Sequence, residues 1–237
     1  MSGIQDFWCF EDDFIGGGTL TTVGQYDPWV ITDTSSAGTP TYTRLDHGET
    51  AGVFRPGVAQ LAFDSQTEAQ NVCLSFGDKL AFDITTLRGF ECGVRFVATT
   101  GSQKDSNTTF ACGVTGDRND TIDTIAYASL FRLAGAGTLA VVCESDDGTN
   151  NNDDIATGFT MTDTVWCKFK IDFSKLTDVK YYAGLSTGQL RRVATGTTFD
   201  MSNYAAGLQP FFQLQKASDN NTDLVQIDYV RLWGVRV

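Results

Sequence analysis

Residues 165–173 alternate without a break. Val165, Cys167, Phe169, Ile171 and Phe173 fall on one side, and Trp166, Lys168, Lys170 and Asp172 on the other. A period of two belongs to a β-strand with one buried face, and a helix cannot present it. Residues 90–97 repeat the pattern, with Cys92, Val94 and Phe96 opposed to Glu91 and Arg95. Residues 122–133 read as one long strand that places Ile125, Tyr127, Phe131 and Leu133 together. Further strands are expected near 8–14, 28–32, 40–45, 58–64, 71–76, 109–115, 138–144, 179–183, 190–194, 208–216 and 223–233. Gly16-Gly17-Gly18, Asp117-Arg118-Asn119-Asp120 and Ser218-Asp219-Asn220-Asn221 supply turns between them. Residues 145–154, the most polar run, are expected as an exposed loop, and residues 175–180 as a short helical turn. About a dozen strands without helical crossovers imply an all-β fold, a two-sheet antiparallel jelly-roll sandwich formed as a single domain over 1–237. A closed barrel has the same alternation.

Charge narrows the partners. The net charge is −12 with 17 basic residues, the wrong sign for gripping nucleic-acid phosphates or an anionic membrane surface. No apolar stretch approaches the roughly 20 residues of a membrane span. The first residues show no basic region followed by an apolar run, so the chain is expected to be made and folded in a cytoplasm. Six cysteines, at 9, 73, 92, 112, 143 and 167, lie in apolar strand-like runs and form no CxxC pair. Buried reduced thiols are the favoured reading, ahead of disulfides or a metal site. His47 is the only histidine, and Leu45-Asp46-His47-Gly48-Glu49 reads as a surface loop. No Ser-His-Asp constellation or phosphate-binding glycine loop is present.

Two stretches carry a family resemblance. Phe10-Glu11-Asp12-Asp13-Phe14 is followed by a glycine-rich turn and Trp29, and the last strand ends Ile227-Asp228-Tyr229-Val230-Arg231. Together they resemble the concanavalin A-like lectin/glucanase superfamily, in which the first and last strands lie side by side. Residues 166–172 followed by Val179-Lys180-Tyr181-Tyr182 are similar to a late hairpin of that fold. The resemblance implies a concanavalin A-like sandwich of a kind that handles carbohydrate. It also implies Asp13 and Asp228 as candidate ligands of a structural calcium, with no other cofactor. The family's hydrolases carry Glu-x-Asp-x-x-Glu on one strand. The five glutamates here, at 11, 49, 68, 91 and 144, do not reproduce it. Retaining hydrolysis needs two carboxyls about 5–5.5 Å apart, so no catalytic residue is assigned and the chain is read as a non-enzyme. Trp166, Tyr182 and Tyr204 are candidates for outward-facing aromatics, although sandwich cores also consume aromatic rings.

A carbohydrate-type fold without a secretion signal, with six thiols and without the hydrolase motif, fits a bacteriophage product released by lysis. The expectation is a virion structural protein, a capsid decoration or cement protein, whose partners are the major capsid protein or other virion proteins. A homo-oligomer is compatible with that role. The first alternative is a carbohydrate-binding or receptor-binding lectin-like module that takes a cell-surface glycan. The second is a glycoside hydrolase or lyase with a degenerate motif.

Overall fold

The alternation resolves into two antiparallel sheets packed face to face. The computed structural model describes residues 6–14, 28–45, 57–99, 103–133 and 137–236. His47 and the triple glycine at 16–18 lie outside them. One sheet has eight strands: β1 (Phe7–Asp12), β3 (Thr41–Leu45), β4 (Val58–Ala62), β7 (Leu87–Val97), β12 (Cys167–Asp172), β13 (Lys180–Leu185), β14 (Arg191–Arg192) and β16 (Leu224–Val235). The other also has eight: β2 (Val30–Thr34), β5 (Glu68–Ser75), β6 (Phe82–Asp83), β8 (Thr108–Thr115), β9 (Ala128–Leu133), β10 (Ala140–Asp146), β11 (Asn151–Thr160) and β15 (Gly207–Asp219). The first sheet runs β14-β13-β12-β7-β16-β4-β3, with β1 beside β16, and the second runs β11-β10-β9-β8-β15-β5-β2, with β6 beside β15. The first and last strands pair from Phe7↔Val235 to Asp12↔Val230, as the resemblance implied. This is an open sandwich rather than a closed barrel.

The core follows from the inward half of each alternation. Phe90, Cys92, Val94 and Phe96 from β7 face Phe110, Cys112 and Val114 from β8, all essentially buried. Phe131 of β9 packs on Phe169 of β12 with ring centres 4.7 Å apart, joining the sheets. At one end Trp29, Phe10, Phe76 and Phe82 form an aromatic cluster. Asp12 ties that cluster to β1, accepting from Trp29 Nε1 at 2.7 Å and from the Phe14 amide at 2.7 Å. Lys216 is 1% exposed, yet its ammonium donates to the carbonyls of Asp64, Gln66 and Asn221 at 2.8, 3.0 and 3.1 Å. Three acceptors offset the desolvation of that charge.

Several sequence expectations need correction. Residues 122–133 are not one strand: Ile122–Thr124 is a turn of 3-10 helix, Tyr127 takes a positive φ of 64°, and the strand begins at Ala128. The apolar period misled because Ile122 and Ile125 do bury, but against Cys73, Ala111, Leu130 and Phe211 on the outer face of the second sheet. The segment 116–127 thus lies across that face. Buried Gln213 donates to Asn119 O and Asp120 O at 3.1 Å each, and Asn71 donates to Asp120 O at 2.8 Å. Residues 145–154 are not a loop but the β10–β11 hairpin, whose polar strand is a solvent-facing edge. Five of the cysteines are buried thiols, but Cys9 is exposed because it faces outward on β1. The short turn within 175–180 is present at Leu176–Asp178. No helix among the described residues is long and apolar enough to cross a membrane.

One polar bolt crosses the interior. Tyr181 of β13 is fully buried; its hydroxyl donates to Glu144 O at 2.6 Å and lies 2.7 Å from Ser129 Oγ, both in the opposite sheet. Removing the hydroxyl leaves two buried groups short of a partner, a cost of about 1–2 kcal/mol. Tyr181→Phe is therefore expected to lower the melting temperature by about 3–6 °C in a thermal scan; an unchanged Tm would show that the bolt adds nothing to sheet–sheet cohesion.

Candidate functional site

The outer face of the first sheet is where chemistry gathers. Register alone sets one row across six strands: Glu11, Arg231, Glu91, Lys170, Tyr182 and Arg192 are successive cross-strand partners. Cross-strand neighbours on one face come within contact distance, so opposite charges in alternation reinforce the sheet. Arg231 Nη2 lies 2.5 Å from Glu11 Oε1, and that carboxylate holds the guanidinium firmly in its charged form.

A bulge supplies the next residues. The β16–β7 pairing steps from Ile227↔Val94 to Tyr229↔Gly93, leaving Asp228 as the extra residue. A bulge re-aims side chains locally. Here Ile227 and Val230 stay in the core while Asp228 and Tyr229 stand over Gly93. A Cβ on Gly93 would come within 2.8 Å of Tyr229 Cε1, and one on Gly89 within 2.1 Å of Trp233 Cζ2. The two glycines of β7 thus let two half-buried rings lie down on the strand. Lys170 Nζ sits 5.7 Å from the centre of Tyr182 and 5.4 Å from that of Trp233, within cation–π range.

Beside the rings opens a cleft of about 410 Å3 lined by Glu11, Asp13, Glu91, Asp228, Tyr229 and the cations Lys168 and Arg231. The Tyr229 hydroxyl donates to Glu91 Oε1 at 2.7 Å. Burial and this carboxylate push the phenol well above its usual range, so it remains a donor at all ordinary pH. Arg231 Nε is buried without a hydrogen-bond partner.

Asp13 and Asp228 therefore do meet, in this cleft. Calcium prefers six to eight hard oxygens, and here Lys168 and Arg231 already stand among the carboxylates. That mixed donor set does not fit a divalent cation. Of the proposed outward aromatics, Tyr182 is half-buried beside Lys170. Trp166 is 7% exposed and lies under Arg95, whose guanidinium is 5.0 Å from its ring. Tyr204 is buried, donating to Gly207 O at 3.1 Å, and belongs to the packing around Tyr127. Sequence reading missed Tyr229, Trp233, Glu91 and Arg231 as a set. Their signal was the pair of glycines at 89 and 93 inside a strand.

A second charged group lies on the outer face of the other sheet. Glu144, Asp153 and Asp154 are the one trio of carboxylates within mutual ligating distance among the described residues. Arg132 occupies their midst, ion-paired to Asp123, Glu144 and Asp154. It supplies from within the positive charge that a metal would bring. The adjoining cavity of about 50 Å3 is far below the 300–1,000 Å3 of small-molecule pockets, and too small for a sugar ring.

Burial pushes the Glu144 carboxyl from 4.5 up to about 7, with Arg132 offsetting only part of the cost. The folded chain therefore keeps this proton to about pH 7, whereas the unfolded chain releases it near 4.5. The native state binds more protons in that window, so stability falls as pH rises through it, by at most about 3 kcal/mol. Below about pH 4.5 and above about pH 7 this contribution is flat. Denaturant titrations at steps from pH 4.5 to 8 are expected to show the decline in the native chain and a flatter profile in Glu144→Gln; parallel profiles would exclude Glu144 as its source.

No protein-family profile matches the chain, and no curated protein sequence matches it. Solved structures do. A protein of unknown function from Shewanella oneidensis MR-1 superposes with a TM-score of 0.66 at 10% identity, over 99% of this chain and 89% of that one. Peanut lectin, in complex with a nine-residue peptide, gives 0.55 at 10% identity, over 98% and 99%. SCLam, a non-specific endo-β-1,3(4)-glucanase from family GH16, gives 0.53 at 11% identity, over 100% and 94%. At such identities the likeness is one of fold alone. The chain is a two-sheet antiparallel jelly-roll sandwich of concanavalin A-like fold.

Proposed function

We propose that the chain is a non-enzymatic glycan-binding domain, and that its binding surface is the outer face of the sheet holding β1, β16, β7, β12 and β13. The observation that carries this reading is the seating of Tyr229 and Trp233 on Gly93 and Gly89 beside the charged 410 Å3 cleft. Sugars have an apolar C–H face that packs on an aromatic ring, and hydroxyls that need donors and acceptors at its rim. Rings laid along the sheet provide the first. Glu91, Asp228, Lys168 and Arg231 provide the second. The lectin likeness of the fold is compatible with this role and does not by itself assign it.

Binding without hydrolysis is supported by where burial raises a carboxyl. A glycosidase keeps one carboxylic acid protonated beside the scissile bond. Among the described residues the carboxyl pushed up by burial is Glu144, and it lies on the other sheet against a cavity too small for a sugar. In the cleft itself Glu91 is engaged as the acceptor of the Tyr229 hydroxyl at 2.7 Å. On a glycan array the chain is expected to bind a restricted set of glycans without cleaving them. Trp233→Ala should weaken the best of these by at least about tenfold, equivalent to about 1.4 kcal/mol. Gly89→Ala should weaken it too by lifting the ring. Undiminished affinity in folded Trp233→Ala would overturn the assignment of this face.

A second reading places the domain on a virus particle as a decoration protein, and the thiols support it. Burial holds Cys73 up to about 12 and Cys167 up to about 11, keeping both as unreactive thiols. Such a core suits folding in a reducing cytoplasm before release by lysis. Mass spectrometry of purified particles is expected to find the chain in numbers comparable to the major capsid protein; absence from particles would remove this reading and leave glycan binding untouched.

A further inference from the structure

The edge of the sandwich holds another cavity, of about 600 Å3, built from none of the residues of the outer-face cleft. It opens between the free edges of the two sheets. Its size falls within the range of small-ligand pockets. One wall is β11 at residues 157–159. The pairing of β10 with β11 jumps there from Ala140↔Thr160 to Val142↔Ala156, and Gly158 takes a φ of 70°. Thr157 Oγ1 turns back to donate to Val141 O, and accepts the Phe159 amide at 3.0 Å. A Cβ on Gly158 would meet nothing within 4 Å, so this wall stands clear.

The other wall is β13 with the two-residue strand β14. Arg191 pairs with Ala183 and Arg192 with Tyr182, and both arginines line the cavity. Arg192 has Asp178 at 3.8 Å. Arg191 has no ion-pair or hydrogen-bond partner among the described residues, and no carboxylate lines the cavity. In a chain of net charge −12, these two adjacent arginines with no carboxylate in the lining make the cavity wall locally positive. Its remaining surface is mixed: Leu185 is 42% exposed, Phe159 is half-buried, and Gln189 offers an amide.

We propose that this cavity is a second binding site and that it takes a saccharide unit bearing a carboxylate. The proposal rests on the glycan-binding reading and specifies a different surface for it. Arg191 presents a planar fork that matches a carboxylate through two parallel hydrogen bonds. Leu185 and Phe159 receive the C–H face of the ring. Gln189 and the free backbone groups of the β11 edge receive the hydroxyls. The negative field of the rest of the chain repels a uniformly charged polymer. A charge confined to one sugar, at a chain end or a branch, is the form that this local positive region selects.

The test is titration calorimetry of the full chain with methyl glucuronide and methyl glucoside, repeated on Arg191→Gln and Trp233→Ala. The glucuronide is expected to bind at least about tenfold more tightly than the glucoside, a gap of about 1.4 kcal/mol. Arg191→Gln should lose that preference at an unchanged melting temperature, and Trp233→Ala should retain it. Affinity should also fall with added salt. Equal binding of the two sugars, full glucuronide binding by Arg191→Gln, or no glucuronide binding at all would overturn the proposal. So would acetate that binds as tightly as glucuronide, since that would mark a plain anion site. Trp233→Ala that keeps full affinity for neutral glycans would count against the outer-face cleft alone.

Discussion

The pairing of β16 with its neighbours is the constraint on which the rest depends. This last strand bonds β7 along most of its length on one flank, and β4 then β1 on the other. It therefore gathers the beginning, middle and end of the chain into one sheet. Its inward residues, Val225, Ile227, Val230 and Leu232, are fully buried in the core. Its outward residues, Asp228, Tyr229, Arg231 and Trp233, make most of the outer-face site. A plain two-residue alternation would point Asp228 and Tyr229 to opposite sides. The bulge relieves that conflict, so core and site share a strand without competing for it. Such non-local pairing also implies slow folding, because distant segments must meet before most of the apolar surface is covered.

The two sheets treat their outer faces in opposite ways. The second sheet is sealed along β15, β5 and β8 by residues 116–127, and its polar row is turned into structure. Gln209 accepts from the amides of Phe76 and Asp78, and donates to Asp78 Oδ1 and Gly116 O. Further along, Arg132 settles a group of carboxylates that would otherwise repel one another. The first sheet keeps its row of rings and charges half-exposed. Among the described residues this aromatic and charged surface is uncovered across six strands, in contrast to the sealed face.

How much of this is legible in the sequence depends on whether a feature is periodic. Residues 165–173 and 90–97 reveal their faces because alternation repeats, and the inward residues are those that it selects. Ile122 and Ile125 are apolar for a tertiary reason, the covering of a second small core, and that contact leaves no periodic trace. Residues 145–154 look like a loop because their positions are polar: Ser145 and Asp147 are buried without being apolar, and the side chains of β11 that pack on the core, Ile155 and Phe159, come only after this run. Asp12 rather than Asp13 anchors Trp29, and only the direction of β1 decides between adjacent carboxylates. Lys216 is buried by three carbonyls drawn from distant segments, which a strand pattern cannot report. The glycines at 89 and 93 were visible throughout. A glycine inside a well-formed strand signals close approach by something, and here it is the rings of β16.

The bulge at Gly158 also bears on how the molecule behaves at high concentration. A ten-residue edge strand presents unpaired amides and carbonyls that another chain can extend into a growing ribbon. The kink breaks that row in its second half. A copy attempting to pair there meets an interrupted ladder. The shape that opens a cavity at the sandwich edge is thus also a safeguard against polymerisation.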